Sequence, residues 1–502
     1  MGCATSKKAD AVATDGVVLS KPDILAKAVE DEKRDDAFPS FIESEFSTKV
    51  EYERWVAAGG AGSTAHEPCD VMIMGAGMAG LACALMLHKE GLKVKVFESA
   101  PVLGEIGAGI NVTPLGVGVL QELGLGEALA DPEVGCGIQT GELRYYNPDG
   151  VLIYTDPRGK NAGYKAPQYS MHRGKLWRVM IDALYSRLGA ANLMINHTCT
   201  GFTTDGPKPP GCNVTAHFMT MDRKQKQPSC SAKILLGCDG IKSAIRAQIY
   251  PNEPARFTGW RIFRSVVDLD ATMLDGKTML LVGDKKAAVA IYGIHEGEQQ
   301  RGRTMLNMGW AAHDTAFDCP EAPADAMNAK ESWVAKVPKS QMDWIYKDWK
   351  FAKDVFSDPK ITWSSIIQDA PEITCFALYD RDPVKQWTFG PVTLVGDAAH
   401  PLLPFGSQGA NQAFLDAQAL GVAVREEKDL IRALVRYEEL RCAAASAVVM
   451  SNRQMGPTRL LKAMDEGCGG KSIAEQEQWV KDNKGEMENF IQGYHALSAP
   501  KP

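Results

Sequence analysis

The chain has 502 residues, of which 45% are hydrophobic and 23% are charged, and its formal net charge at pH 7 is -7. This length predicts roughly two or three domain-sized units, and the acidic balance excludes a basic surface that attracts nucleic acid. No run reaches the roughly 18 apolar residues of a membrane span. The 12 cysteines contain no CxxC pair, so we expect reduced thiols, a cytoplasmic location and no metal site.

The first eight residues read MGCATSKK and match the pattern for N-myristoylation. Gly2 is the candidate acceptor, Ser6 stands where the pattern requires a hydroxyl residue, and Cys3 is a candidate for palmitoylation. One myristoyl chain anchors a protein only marginally, so the second lipid would decide whether the protein stays peripherally on a membrane surface. The alternative is a tail, residues 1–67, that carries the motif by chance.

The stretch 71–98 has the pattern of a βαβ unit that binds a dinucleotide. An apolar run predicts a buried strand, a helix-forming run follows the glycines, and a second strand ends on Glu98. Gly75 allows a tight turn, Gly77 lets a pyrophosphate approach the backbone, and Gly80 lets helix and strand pack closely. Glu98 can accept ribose hydroxyls and would repel a 2′-phosphate. The pattern alone leaves FAD, NAD and an ordinary Gly-rich turn open.

Two polar residues follow strand signals before residue 250. Arg173 precedes a predicted helix at 176–188, where it suits a phosphate or flavin contact or simply lies at the surface. Asp239 follows a buried strand, at the carboxyl end where doubly wound sheets bind ligands. As a bare pattern, Asp239-Gly240 is a turn, and its placement after the strand favours a functional interpretation.

Longer alternating runs predict an antiparallel sheet in the middle segment, with strands at 258–267, 278–282, 287–294 and 303–311. Helical patterns at 324–337 and 339–355 are expected to cover this sheet. Trp260, Tyr292 and Trp310 could line an apolar substrate pocket, although ordinary core is the simpler interpretation of each. Arg264, like Arg261, could bind a carboxylate substrate or sit at a domain junction.

A second ligand signature begins near residue 390. A buried strand at 392–395 leads to Gly396-Asp397, and a turn with Pro404 and Gly409 leads into a predicted helix at 410–424. The positive end of that helix would stabilise negative charge on a reduced flavin ring. Asp397 can hold ribityl hydroxyls.

Three motifs in this order resemble the class A FAD-dependent aromatic-ring monooxygenases, the salicylate hydroxylase-like group: GxGxxG with Glu98, GCDG at 237–240 and GDAAHP at 396–401. Further runs are similar to the phenazine-type (methylphenazine-carboxylate) monooxygenase branch: GAGIN at 107–111, YDRDPV at 379–384, GSQGANQAFLDAQAL at 406–420 and SNRQMGP at 451–457. The resemblance covers residues 68–460.

The resemblance implies an α/β fold: a Rossmann-like FAD-binding domain of the GR2 type, an inserted antiparallel-sheet substrate domain and a C-terminal helical segment. The implied division is a tail with linker at 1–67, the FAD-binding domain at 68–257 and 386–430, the substrate domain at 258–385 and a helical region at 431–502. The implied cofactors are FAD and, as a transient reductant, NAD(P)H.

The resemblance also assigns residues to the site. Those expected to contact FAD are Gly75, Gly77, Met78, Ala79, Gly80, Glu98, Ser99, Arg173, Asp239, Gly396, Asp397, Gly409, Ala410 and Asn411. Pro404 would lie at the flavin face where substrate enters, and His400 would act by position. Two departures are Ser99, where many members carry arginine, and Cys238, where alanine is usual.

The implied reaction is hydroxylation of a small aromatic or heteroaromatic substrate. NAD(P)H reduces FAD, which reacts with O2 to a C4a-hydroperoxide that delivers one oxygen to the ring. Two alternatives are a flavin oxidase or dehydrogenase on the same scaffold and a membrane-tethered flavoprotein that mainly binds a partner. Neither the substrate, the choice of NADH or NADPH, a substrate-activating base nor the oligomeric state follows from the sequence.

Overall fold

A computed structural model describes residues 65–104, 108–206, 208–317, 334–346, 348–351 and 355–498. The lipidation candidates Gly2 and Cys3 lie outside these residues. Among the described helices, none is long and apolar enough to cross a membrane.

In chain order the strands are β1 (Cys69–Met74), β2 (Val94–Phe97), β3 (Gly109–Val112), β4 (Ile138–Thr140), β5 (Glu142–Tyr146), β6 (Leu152–Pro157), β7 (Gln168–His172), β8 (Leu193–Met194), β9 (Thr198–Thr203), β10 (Val214–Met219), β11 (Lys226–Gly237), β12 (Arg256–Leu269), β13 (Thr278–Gly283), β14 (Ala287–Gly293), β15 (Thr304–His313), β16 (Val334–Lys336), β17 (Thr374–Asp380), β18 (Thr388–Phe389) and β19 (Val392–Leu394). The α-helices are α1 (Met78–Lys89), α2 (Pro114–Glu122), α3 (Gly126–Ala130), α4 (Arg173–Leu188), α5 (Ala244–Ile249), α6 (Glu296–Gln300), α7 (Lys339–Tyr346), α8 (Trp363–Asp369), α9 (Gly409–Glu426), α10 (Leu430–Arg453), α11 (Arg459–Cys468) and α12 (Ile473–Ser498).

The first sheet confirms the predicted Rossmann-like core. Its strands run in the order β18-β19-β11-β1-β2-β8, parallel from β19 to β8, and β10 and β9 extend it beside β11. The apolar run from Val71 to Met74 is buried on both faces because helices cover both sides of a parallel sheet. Helix α1 is buried from Met78 to Leu87 since it packs against this sheet, α4 and α9.

The second sheet is the predicted inserted sheet, with two additional strands. Its order is β16-β17-β12-β15-β14-β13-β5-β6, and β13 pairs with β5 in parallel, Thr278 opposite Glu142. Strands β5 and β6 therefore belong to this sheet, although the predicted division assigned them to the first part of the FAD-binding domain. The pairing joins segments far apart in the chain, and no local pattern reveals such a contact.

The two faces of the second sheet pack against different partners. One face packs on α7 and α8, in a core that contains Phe263, Trp310 and Tyr346. The other face meets the loop with Phe405 and, farther along, the C-terminal helices α11 and α12. Since successive strand residues point to opposite faces, each strand contributes alternate side chains to the two environments.

The helices predicted over the second sheet are only partly present. Of the predicted helix 324–337, residues 324–333 lie outside the described part of the chain, and Val334–Lys336 form strand β16. The predicted helix 339–355 ends at Tyr346. Strand β16 pairs with the edge of β17, Ala335 opposite Cys375, so backbone hydrogen bonds to that edge override the helical pattern.

A third sheet has three strands in the order β3-β7-β4. A buried carboxylate joins the second sheet to the helices. Asp380, at the end of β17, has a side chain only 1% exposed; its Oδ2 lies 2.8 Å from Arg256 Nη2 and 2.7 Å from Arg453 Nε. Arg453 ends α10, so this carboxylate fixes α10 against β12 and β17.

We expect the change Asp380→Ala to destabilise the protein by about 3 kcal/mol, because it leaves the mostly buried Arg453 guanidinium without this partner. The matched control is Arg256→Ala: that side chain is 53% exposed, so its loss should cost about 1 kcal/mol or less. Denaturant unfolding measures both. Equal effects of the two substitutions would contradict this account of the junction.

Candidate functional site

The glycine loop after β1 is packed tightly on one side and open on the other. Gly75 has φ +101°, and a Cβ there would lie 2.6 Å from the Cys238 carbonyl oxygen. A Cβ at Gly80 would lie 1.9 Å from the Gly75 carbonyl oxygen. At Gly77 a Cβ would meet no protein atom within 4 Å. The loop therefore presents bare backbone at the start of α1, where N–H groups attract phosphate.

The acidic residue at the end of β2 is bound to this loop. The Ala76 N–H donates to Glu98 Oε2 at 2.9 Å, and the Ala100 N–H donates to Glu98 Oε1 at 2.8 Å. The Ser99 hydroxyl also donates to Glu98 Oε1, at 3.0 Å. The carboxylate is therefore already oriented beside the glycine loop, where a ribose would follow a bound pyrophosphate.

Asp239 lies directly after β11, beside the glycine loop. Its Oδ2 accepts the N–H groups of Ala244 and Ile245, at 2.7 and 3.3 Å, at the start of α5. Its Oδ1 is buried and has no hydrogen-bond partner among the described residues. Burial raises the pKa of Asp239. A buried acceptor without a donor marks a position where a ligand hydroxyl fits.

Arg246 connects this region to the second ligand signature. Arg246 is only 1% exposed. Its Nη1 donates to the carbonyl oxygens of Ala398 and Ala399, both at 2.8 Å. Nε donates to Glu253 at 2.8 Å. This guanidinium therefore holds the turn after β19 at a fixed place relative to Asp239.

A buried ionic network lies under that turn. Asp416 of α9 accepts the Gly396 N–H at 3.0 Å, and its Oδ2 lies 2.6 Å from His400 Nε2. Arg441 of α10 donates to Asp416 Oδ1 at 2.8 Å. Burial raises the pKa of Asp416, but His400 and Arg441 outweigh burial and hold the pKa below its usual range. His400 thus contacts Asp416 and, through it, the Gly396 N–H group.

Arg173 and Asp397 are close enough for their opposite charges to act on each other. Both residues keep exposed surface, yet burial lowers the pKa of Arg173 and raises that of Asp397, and their opposite charges oppose each shift. Residues that lie deep in the protein and remain accessible line a cleft. The two charges are available to a ligand there, as the sequence predicts.

The start of α9 is tied to β3 by Asn411. Its Oδ1 accepts the Thr113 N–H at 2.8 Å, and its Nδ2 donates to the carbonyl oxygens of Asn111 and Ser407, at 3.0 and 2.6 Å. The Asn411 side chain is thus used within the protein, and its neighbour Gly409 presents backbone to open space, since a Cβ there would meet no atom within 4 Å. A ligand at the helix start would meet the backbone of Gly409 and Ala410.

Three of the four predicted pocket residues lie on one face of the second sheet. Trp260, Arg264 and Tyr292 are on the sheet face toward the cleft: the Trp260 ring lies 5.4 Å from that of Phe405, beside Pro404. Burial raises the pKa of Tyr292 to about 12. The prediction for Trp310 is wrong, because it lies on the opposite face, in the core with Tyr346.

Arg261 also lies away from the cleft, where its Nε donates to Asp314 at 3.0 Å.

Sequence reasoning missed the three residues that hold the site together: Asp416, Arg441 and Arg246. Asp416 had a visible signal, since it is the one acid in the apolar run AFLDAQAL of α9. Arg246, in DGIKSAIR, carries no such local signal.

The arrangement fits FAD. The open backbone at Gly77 suits a pyrophosphate, and the open backbone at Gly409 suits the edge of a flavin ring. Asp239 offers an acceptor oxygen that has no hydrogen-bond partner in the part of the chain that the structure describes. With FAD in this arrangement, Glu98 would lie at the adenosine side and Asp397 at the ribityl side. No group of three or more His, Cys, Asp or Glu side chains that could hold a metal ion occurs in the described part of the chain.

Comparisons with known proteins agree with this geometry. Residues 68–452 match the family described as FAD binding domain. The phenazine 1,6-dicarboxylic acid hydroxylase PhzS of Lysobacter antibioticus is 34% identical over 390 residues, which is 76% of this chain and 89% of that protein. The 3-hydroxybenzoate 6-hydroxylase of Polaromonas naphthalenivorans is 30% identical over 393 residues, 77% of this chain and 87% of that protein.

Among solved structures, Klebsiella pneumoniae HpxO complexed with FAD and uric acid is similar with a TM-score of 0.63. The identity is 20%, and the match covers 87% of this chain and 98% of that chain. At this identity the likeness shows the fold, and it confirms the predicted α/β flavoprotein architecture.

We expect Gly77→Ala to fold normally and to bind FAD at least about tenfold more weakly, because the methyl group meets no protein atom but occupies the approach of the pyrophosphate. Flavin fluorescence titration of the apoprotein measures the affinity, and thermal unfolding checks the fold. The control is Gly118→Ala in α2, where a Cβ also meets no atom within 4 Å. Unchanged FAD affinity of Gly77→Ala would refute the assignment of this loop.

Proposed function

This chain belongs to the FAD binding domain family, and from that membership we propose that it hydroxylates a small aromatic acid in the cleft between its two large sheets. It is an FAD-dependent monooxygenase that uses NAD(P)H and O2 and acts on an aromatic substrate. The relatives above are named for phenazine 1,6-dicarboxylic acid and 3-hydroxybenzoate. Both are aromatic carboxylic acids, which supports the narrower substrate class.

One observation carries the assignment of the site: residues from both ends of the family segment converge on one cleft. Asp239, beside the glycine loop, accepts N–H groups at the start of α5, and Arg246 of α5 donates to the Ala398 carbonyl oxygen in the turn after β19, 152 residues later. The proposed FAD contacts are those predicted from the sequence, with Asn411 acting through its bonds to β3. The names of the relatives, hydroxylases rather than oxidases, favour oxygen insertion over the alternative of a flavin oxidase or dehydrogenase.

Bound FAD supplies the redox chemistry, which passes electrons from NAD(P)H to O2 and inserts one oxygen atom into the substrate. The protein binds the cofactor and the substrate, orients them and shields them from water. The positive end of α9, at Gly409, stabilises negative charge on the ring that rests against it. Trp260 and Phe405 cover the cleft beside Pro404 with apolar surface, which excludes water from the reacting groups.

The proposed domain division keeps the FAD-binding domain at 68–257 and 386–430, with one change. Strands β5 and β6 are assigned to the substrate domain, because they pair within its sheet. The helical region from 431 covers both domains, since α10 contacts α9 and α12 packs beside β6.

We expect the purified protein to contain FAD and to consume NAD(P)H faster when an aromatic acid is added. Mass spectrometry should find a product heavier by one oxygen atom, in proportion to the NAD(P)H consumed. A product that has lost two hydrogen atoms, with matching H2O2, would instead establish an oxidase. Protein without flavin absorbance would remove both functions and leave a binding role.

We propose in addition that Gly2 is myristoylated and Cys3 palmitoylated, so that the enzyme is held peripherally on a membrane surface. The support is the sequence pattern MGCATSKK, in which a second lipid site stands next to the first and two lysines favour an anionic leaflet. Each acyl chain contributes about 0.8 kcal/mol per buried methylene, so two chains hold the protein where one releases it.

In a eukaryotic cell that expresses the full chain, Gly2→Ala should move the protein from the membrane fraction to the soluble fraction. Cys3→Ser should give partial release, because the myristoyl chain alone binds weakly and reversibly. Incorporation of a labelled myristate analogue checks the acylation directly. Gly2→Ala protein that remains in the membrane fraction would refute lipid anchoring without affecting the proposed enzyme activity.

A further inference from the structure

The C-terminal helix α12 lies outside the part of the chain that matches the family, which ends at residue 452. It nevertheless reaches the loop 403–406 beside the cleft. Tyr494, near the end of α12, is only 4% exposed, and its hydroxyl lies 3.5 Å from the Phe405 carbonyl oxygen. The Phe405 ring in turn packs against Trp260. An element that the family match does not include thus contacts a wall of the cleft.

A second buried residue holds the same loop. Asn452, at the end of α10, is 1% exposed. Its Nδ2 donates to the Leu403 carbonyl oxygen at 3.2 Å, and its Oδ1 lies 3.3 Å from the Tyr494 hydroxyl. The single hydroxyl proton of Tyr494 therefore faces two acceptors, Asn452 Oδ1 and the Phe405 carbonyl oxygen. Together the two side chains hold the loop on either side of Pro404.

Two glycines leave room for the Tyr494 ring. Gly406 has φ +82°, and a Cβ there would lie 1.8 Å from the Tyr494 hydroxyl oxygen. Gly456 has φ +48°, and a Cβ there would lie 3.3 Å from Cε2 of the Tyr494 ring. Glycine adopts such backbone conformations most readily, so a side chain at Gly406 is disfavoured both by the backbone and by the lack of space. Tyr494 therefore occupies a niche between these two glycines.

The residues around Tyr494 fix α12 to the second sheet. His495 Nε2 lies 3.1 Å from Oδ2 of Asp156 in β6, and this mostly buried carboxylate also pairs with Arg158. Ile491, one turn earlier, is 1% exposed and lies in the core shared with β5 and β6. The backbone of α12 is thus held by the sheet while the Tyr494 side chain extends to the loop.

We propose that Tyr494 positions the loop 403–406 at the cleft and thereby keeps oxygen insertion coupled to NAD(P)H consumption. This inference rests on the proposed function and gives part of it to a helix outside the family match. Phe405 and Trp260 form an apolar cover that excludes water from the reacting groups. Release of the loop at Phe405 would open this cover, so Tyr494 is a positioning residue that acts through the loop.

Opening the cover changes where the electrons from NAD(P)H go. In the coupled reaction, one atom of O2 enters the ring and the other leaves as water. In the uncoupled reaction, the same two electrons, with two protons, reduce O2 to H2O2 and the substrate is unchanged. The share of NAD(P)H that yields H2O2 therefore measures how well the loop is held.

The test compares Tyr494 variants of the full-length, FAD-loaded enzyme during turnover of an aromatic acid. Tyr494→Phe keeps the ring and removes the hydroxyl. It should raise the H2O2 share and the KM for the acid about threefold, the effect of one lost hydrogen bond, with little change in the maximal rate of NAD(P)H oxidation. Tyr494→Leu, which also leaves part of the niche empty, should raise the H2O2 share further. The matched control Tyr154→Phe removes a hydroxyl from β6, which packs beside the same helix, and should leave coupling unchanged.

Hydrogen exchange gives a readout that does not depend on the reaction. The Ser407 N–H donates to the Pro404 carbonyl oxygen at 3.1 Å, so its exchange reports on opening of the loop. Peptides that cover this loop should exchange about threefold faster in Tyr494→Phe than in wild type or in Tyr154→Phe, with FAD content unchanged.

The proposal is overturned if either the exchange of the loop or the coupling of Tyr494→Phe stays at the wild-type level. It is also overturned if exchange rises equally throughout the chain, if Tyr494→Phe loses FAD, or if the control changes as much. Failure of the proposed function is distinct, because it would appear as wild-type protein without flavin or without oxygen insertion.

Discussion

The buried guanidinium of Arg246 is the interaction on which the site depends. Its donors reach the carbonyl oxygens of Ala398 and Ala399, the Asp382 carbonyl and the Glu253 carboxylate. One side chain thus fixes the turn after β19 to the start of α5, across 152 residues of sequence. A rigid, planar cation suits this task because its fork of donors sets direction as well as distance. It adds to the pairing of β11 with β19 and to the packing of α1 against α9, which also hold the two halves of the site together.

Charge has two different uses in this protein. Arg246, Asp416 and Asp380 are each surrounded by partners from separate elements, so their ion pairs fix geometry. Arg264 is partly accessible and Arg173 is exposed, and neither guanidinium has a hydrogen-bond partner among the described residues. The first group therefore belongs to the scaffold, and the second is available to a ligand. The division follows from the hydrogen bonds alone and does not need a bound molecule.

The second sheet separates these roles through its pleat. Alternate residues of β12 face the helical core or the cleft, so Arg261 and Arg264, three positions apart, enter different environments. The same alternation sends Trp310 to the core and leaves Gly309 beside the cleft. Small residues on the cleft face then create room that large ones would fill. Strand register therefore decides, as much as residue type does, which side chains face the cleft.

The sequence alone determined the first sheet, the FAD motifs and the family, because glycine turns, buried strands and the acidic residue Glu98 follow local rules of backbone and charge. It also predicted that Trp260, Arg264 and Tyr292 line the pocket, and these three lie on one face of the second sheet. The tertiary structure alone decided the membership of β5 and β6 in the second sheet, the burial of Trp310 on its far face, and the partners of Arg246 and Asp416. These depend on pairing between distant segments, and a local pattern carries no information about which distant segment will lie opposite.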